Sequence, residues 1–161
     1  MRRFALAIFL LLALLPGCKS EVSAQVGKPA PALTALTLGG DAIKLEDLRG
    51  KVVLVNFWWS GCGPCLTEMP QIDVVYRALA DQGFEVLAVN MGQDAKEVRA
   101  VMRRTGVSYP LLLDGLKIDA KKYGVVAAPT SFLIDRDGNV VERINGPMTG
   151  EQLQARVEAL G

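Results

Sequence analysis

The sharpest chemistry in this sequence lies in two cysteines three positions apart, Cys62 and Cys65. They follow an apolar run rich in β-branched and aromatic residues at 52–57. They open a stretch in which Leu66, Met69, Ile72, Val75, Tyr76 and Leu79 recur at helical spacing. At the first turn of a helix, residues i and i+3 share one face and come within disulfide reach. The free N–H groups and positive end of that helix stabilise a thiolate at the first cysteine, so Cys62 is the candidate nucleophile. Cys65, one turn further in and less exposed, suits the resolving thiol that attacks a mixed disulfide. Gly63 allows a partner's backbone to approach closely, and Pro64 is tolerated because first-turn N–H groups have no helical acceptor. A redox pair is the favoured reading. A structural disulfide and half of a zinc site stay open, although the chain offers zinc no histidine and no second cysteine pair.

Glu68 stands three residues after Cys65, on the same helix face, and points toward that thiol as a proton acceptor; the alternative is a solvated surface glutamate. Pro70 removes a backbone N–H and bends the helix, which helps set where the carboxyl points.

The elements that must position these side chains can be read on either side of them. Residues 33–38 and 42–45 flank Gly39-Gly40 as a hairpin, and residues 52–57 form a central strand covered on both faces. Residues 84–90 are a second buried strand. A capping box at Asp94-Ala95-Lys96-Glu97 opens a helix to about Thr105. A short strand at 109–113 and a helix at 116–123 come next, then a hairpin of residues 130–134 and 140–144 around 135–139. Thr149 and Gln152 cap the last helix. Strands and helices that alternate before a closing antiparallel hairpin argue for a mixed sheet between helices, with one core and no second domain.

The N-terminus adds a location. Arg2 and Arg3 precede an apolar run at 4–15 that is shorter than the roughly 20 residues a membrane span needs, the pattern of an export signal. Leu15-Pro16-Gly17-Cys18 resembles the bacterial lipoprotein cleavage box, which makes residues 1–17 a signal peptide and Cys18 the lipidated first mature residue; a plain signal or an uncleaved anchor is the bland alternative. Residues 18–31 are then lipidated cysteine and tether, and 32–161 the folded domain. If lipid consumes Cys18, the other two of the three cysteines remain as a self-contained pair. Eighteen Lys and Arg against seventeen Asp and Glu leave no basic excess for nucleic acid. With no histidine, Ser-His and Cys-His hydrolytic mechanisms are excluded.

The run Lys51-Val52-Val53-Leu54-Val55-Asn56-Phe57-Trp58, the motif Cys62-Gly63-Pro64-Cys65, Glu68, Pro70, Ala88-Val89-Asn90, Ala128-Pro129-Thr130 and Phe132-Leu133-Ile134-Asp135 resemble the TlpA/ResA-type thioredoxin-like family. The likeness implies an α/β thioredoxin fold: a mixed central β-sheet flanked by helices, with an N-terminal β-hairpin and a central α/β insertion. It further implies a membrane-tethered, outward-facing reductase without a cofactor, taken to be a monomer. Its clients would be proteins with reducible disulfides, such as the haem-binding cysteines of apocytochrome c, and a membrane electron donor of the DsbD/CcdA type would re-reduce it. Gly-Pro between the cysteines also resembles thioredoxin itself, at about −270 mV, far from dedicated oxidants near −120 mV. In the resembled fold Pro129 follows a cis peptide and faces the disulfide, leaving the Ala128 backbone free to pair with a substrate strand. Asn56 stands where thioredoxin has a buried aspartate, which points to Glu68 as the substitute proton acceptor, as in the ResA branch. One departure bears on the partner-facing surface: the family carries Trp just before the first cysteine, whereas here Gly61 stands there and Trp59 lies two residues earlier. Trp58 fits either a surface stacking role or a buried aromatic under the active-site loop.

Rival functions are a disulfide oxidant or isomerase, and, from another class, a metallochaperone-like or purely structural lipoprotein. A copper chaperone of the related Cys-x-x-x-Cys type needs a wider spacing and a histidine. A peroxidase is weaker still, since peroxidatic cysteines sit in other motifs.

Overall fold

In the computed structural model, residues 23–161 are described; the expected signal sequence at 1–17, Cys18 and the first residues of the expected tether lie outside them. The central strand β3, Val52–Trp58, is buried along its whole length. Its alternation divides the interior in two. Val52, Leu54 and Trp58 pack with residues of helices α1 (Gly63–Leu79), α2 (Ala95–Thr105) and α4 (Gly150–Glu158). Val53, Val55 and Phe57 pack with Ala120 of helix α3 (Ile118–Lys122), Tyr123 and the N-terminal segment. The period of two thus delivers Asn56 to the α1 side of the sheet.

Seven strands form one mixed sheet in the order β2-β1-β5-β4-β3-β6-β7. Strand β3 pairs in parallel with β4 (Phe84–Met91) and antiparallel with β6 (Thr130–Ile134), and β4 pairs in parallel with β5 (Leu111–Asp114). Strand β1 (Thr34–Thr37) joins β2 (Ala42–Lys44) as the N-terminal hairpin and β5 as its other neighbour; β7 (Val140–Asn145) closes the far edge against β6. Elements α2, β5 and α3 form the central α/β segment. The architecture is a thioredoxin fold. Because β3, β4 and β5 are parallel and β6 opposes them, the loops after the first three strands and the entry to β6 meet at one edge of the sheet.

Three boundaries differ from the sequence expectation. Strand β5 begins after Pro110, whose missing N–H cannot join the ladder. Helix α3 starts at Ile118 instead of 116, because the Asp114 carboxylate accepts the N–H groups of Ile118 and Ala120 at 2.8 and 2.9 Å while Lys117 turns left-handed at φ 55°. The capping box ahead of α2 is half made: Asp94 Oδ1 accepts the Glu97 N–H, but the Glu97 carboxylate takes the Gln93 amide. The box of α4, between Thr149 and Gln152, is complete.

The tether is expected over residues 19–31; among its described residues Ala24 is buried, the Gly27 N–H donates to Val140 O, the Val140 N–H to Lys28 O and the Ala30 N–H to Gly138 O. Tyr123 Oη holds Pro31 O at 2.8 Å. This segment is secured by backbone pairing along β7, which leaves no hydrophobic period in the sequence to betray it.

Candidate functional site

The chain leaves β3 at Trp58, turns through residues 59–61 and enters α1, so the end of a fully buried strand and the start of a 17-residue helix fix Cys62 and Cys65. The two are joined by a disulfide, with Cα atoms 5.3 Å apart. Cys62 is the N-cap of α1, and its Sγ accepts the Cys65 N–H at 3.2 Å. A first-turn N–H that would otherwise lack a helical partner therefore points at the sulfur of the expected nucleophile. Cys65 is fully buried and Cys62 is 5 % exposed. Gly63 and Pro64 between them are exposed, and nothing stands within 4 Å of where a Gly63 side chain would begin.

Trp58 is buried in the core cluster that contains both cysteines, so the surface-stacking alternative is lost. Trp59 instead lies half-exposed across Gly61. A Cβ built on that glycine would overlap Cζ3 of the indole and stand 2.9 Å from Cη2. The missing side chain at 61 is thus where the ring of Trp59 lies. The Cys62 N–H donates to Trp59 O at 3.0 Å, closing the turn. From the loop after β4, Gln93 grips the same turn: its Oε1 accepts the Ser60 N–H at 2.7 Å and its Nε2 donates to Ser60 Oγ at 2.6 Å. Buried Asn90 holds Gln93 in place at 2.9 and 3.2 Å.

Glu68 is 1 % exposed, which removes the solvated-surface alternative. Its Oε1 accepts Asn56 Nδ2 at 2.9 Å and its Oε2 accepts the Met148 N–H at 3.0 Å. Burial pushes the carboxyl up to about 7, against the pull of these two hydrogen bonds. Helix α1 continues through Pro70 to Leu79. The Ala128–Pro129 peptide is cis, as the resemblance implied. Thr130 pairs with Phe57, so Pro129 enters β6 beside the end of β3, and Ala128 packs against the cluster holding the cysteines.

The structure thus gathers Cys62, Cys65, Gly63, Pro64, Glu68, Ala128 and Pro129 at one edge of the sheet; Cys18 lies outside the described residues. Sequence reasoning missed Ser131, Gln93 and the Met148 N–H. Ser131, a polar residue directly before the apolar run Phe132-Leu133-Ile134, was the one signal available. Among the described residues no three histidine, cysteine, aspartate or glutamate side chains converge as metal ligands do. What the arrangement can do is exchange a disulfide: a thiolate held at a helix N-terminus, a second thiol beside it and a carboxyl that titrates near neutrality.

Known proteins match this description. Residues 25–160 match the Redoxin family. The thiol-disulfide oxidoreductase ResA of Bacillus anthracis is 40 % identical over 137 residues, covering 84 % of this chain and 79 % of the relative. ResA of Bacillus subtilis strain 168 is 38 % identical over 127 residues, covering 79 % and 71 %. A structure from Chlorobium tepidum, assigned as a thiol:disulfide interchange protein DsbE, superposes with a TM-score of 0.80 at 32 % identity, covering 86 % of this chain and all of that one. StoA of Bacillus subtilis does so at 0.68 and 29 %, covering 78 % and 95 %.

Proposed function

The chain belongs to the Redoxin family as a thiol-disulfide oxidoreductase of thioredoxin fold, and from that premise we propose that it works outside the cytoplasm as a reductase of client disulfides. Cys62 as thiolate attacks one sulfur of the client disulfide, and the other client sulfur leaves as a thiolate. Cys65 then passes its proton to Glu68 and attacks Cys62 in the mixed disulfide, which releases the second client thiolate and leaves the Cys62–Cys65 disulfide. Two electrons have moved from enzyme to client. A membrane dithiol donor of the DsbD/CcdA type restores the pair, Cys18 carries the lipid that holds the protein at the membrane, and the haem-binding cysteines of apocytochrome c are the clients.

The observation that carries this reading is the Cys65 N–H aimed at the Cys62 sulfur at the start of α1, which singles out Cys62 as the group that gains from being a thiolate. The open backbone of Gly63 and the strand entry at Ala128-Pro129 beside the end of β3 are the edge on which an extended client segment would dock. Relatives named ResA support the choice of chemistry. Trapping tests it: Cys65→Ser expressed in an exporting bacterium should accumulate mixed disulfides through Cys62, with c-type apocytochromes among the captured proteins. Capture confined to partners whose disulfides are being made would assign the opposite direction.

A further inference from the structure

Strand β3 contains one polar residue, and that residue is wholly buried. Asn56 uses its amide nitrogen twice, donating to Glu68 Oε1 and to Ser131 Oγ, each at 2.9 Å. Its carbonyl Oδ1, equally buried, has no partner in the protein. An unmet acceptor in the middle of a central strand is destabilising, and such departures gather at functional sites. Every apolar residue of similar size would fill this place without that penalty, so packing alone does not explain the amide.

We infer that Asn56 is a positioning residue for the exchange reaction: with Ser131 behind it, its amide fixes the Glu68 carboxyl beneath the cysteines and favours the charged form that can accept a proton. The inference rests on the proton-accepting role proposed above for Glu68. Two donors converge on the carboxyl, Asn56 on β3 and the Met148 N–H from the segment between β7 and α4, and Ser131 Oγ on β6 accepts the second amide hydrogen of Asn56. Both carboxyl oxygens therefore face N–H donors. N–H groups aimed at both oxygens stabilise the carboxylate and so work against the burial that favours the neutral acid. From another element Tyr109, just ahead of β5, faces the carboxyl; its hydroxyl donates to Met69 O and its own titration is pushed up partly by Glu68, while Cys65 lies one turn earlier on the carboxyl's own helix. Burial keeps the Tyr109 hydroxyl uncharged near pH 7, so the Asn56 amide is the carboxyl's side-chain source of stabilisation. An aspartate at 56 would place a second carboxylate 2.9 Å away, where the two could not both ionise. A neutral donor is the group that lets the single carboxyl titrate alone.

Asn56→Leu, of similar shape, tests this. Carbon-13 titration of the Glu68 carboxyl should show its midpoint raised by about one pH unit, the size of one hydrogen bond to a charged group. The rising limb of the pH profile for dithiol exchange should move to higher pH by the same amount. In a Glu68→Gln background the same substitution should move nothing. Ser131→Ala should give a smaller shift in the same direction. An unchanged Glu68 midpoint in a folded Asn56→Leu protein would overturn the inference. A raised midpoint with an unmoved exchange profile would leave Asn56 as the residue that sets the carboxyl and would overturn instead the role of Glu68 in exchange.

Discussion

The indole of Trp59 lies across the Cα of Gly61, in the space that a side chain at position 61 would need. In the family this chain resembles, that position holds a tryptophan. Here the aromatic surface beside the nucleophilic cysteine comes from two residues earlier, and the glycine is what lets it fold back.

The two positions should therefore behave as a coupled pair. Gly61→Ala should destabilise the protein by about 1–3 kcal/mol through overpacking, and the loss should be largely recovered when Trp59→Ala is added. Urea titrations of the two single variants and the double would measure it. Strict additivity would show that the ring swings away freely and that the close approach has no energetic weight. Client exchange in Trp59→Ala should fall mainly through a raised KM, since the ring is half-exposed where a client would lie.

Glu68 makes stability depend on pH with a definite sign. Its carboxyl titrates near 7 in the folded chain against 4.5 for an ordinary glutamate, so between these values the native state holds a proton that the unfolded chain has released. Stability should fall as pH rises through this window, by about 3 kcal/mol in all. Glu68→Gln should flatten that slope in the oxidised protein while slowing dithiol exchange near neutral pH. A wild-type slope that survives the substitution would place the titrating group elsewhere.

A purely structural carboxylate offers the contrast. Asp73, buried on the same helix, accepts the Ser108 N–H and Oγ at 2.6 and 2.7 Å and pairs with Arg77 at 3.0 Å. Asp73→Ala leaves those donors unmet and should lower stability by about 2–4 kcal/mol. The potential of the Cys62–Cys65 couple should not move. A shifted potential would tie Asp73 to the redox site.

How legible this was depended on whether a feature leaves a local pattern. Residues 52–57 read as a buried central strand because Val52, Val53 and Val55 with Leu54 and Phe57 make a mostly apolar run, and Cys62 and Cys65 at the head of a helix followed from their spacing and place after that strand. Glu68 was placed by its distance from Cys65 and read as partly buried; that it is almost wholly enclosed, and by which partners, depends on Asn56, Ser131 and Met148, residues 12, 63 and 80 positions away. Gln93 left no trace because one glutamine after a strand looks like any loop residue. Residues 24–31 were read as a free tether for a related reason: they dock through backbone hydrogen bonds to β7, and backbone pairing at a sheet edge imposes no side-chain period. The shortened α3 was missed because Asp114 caps it from the end of β5.

The direction of electron flow is the centre of this account. Gly63-Pro64 places neither charge nor imidazole between the cysteines, so nothing in that dipeptide stabilises the Cys62 thiolate to the degree seen in strong oxidants. The most direct measurement is the reduction potential of the Cys62–Cys65 couple, by equilibrating the purified protein with glutathione buffers and counting free thiols. The expected value lies below roughly −200 mV, on the side of thioredoxin; a value near −120 mV, that of dedicated oxidants, would contradict the reductase assignment.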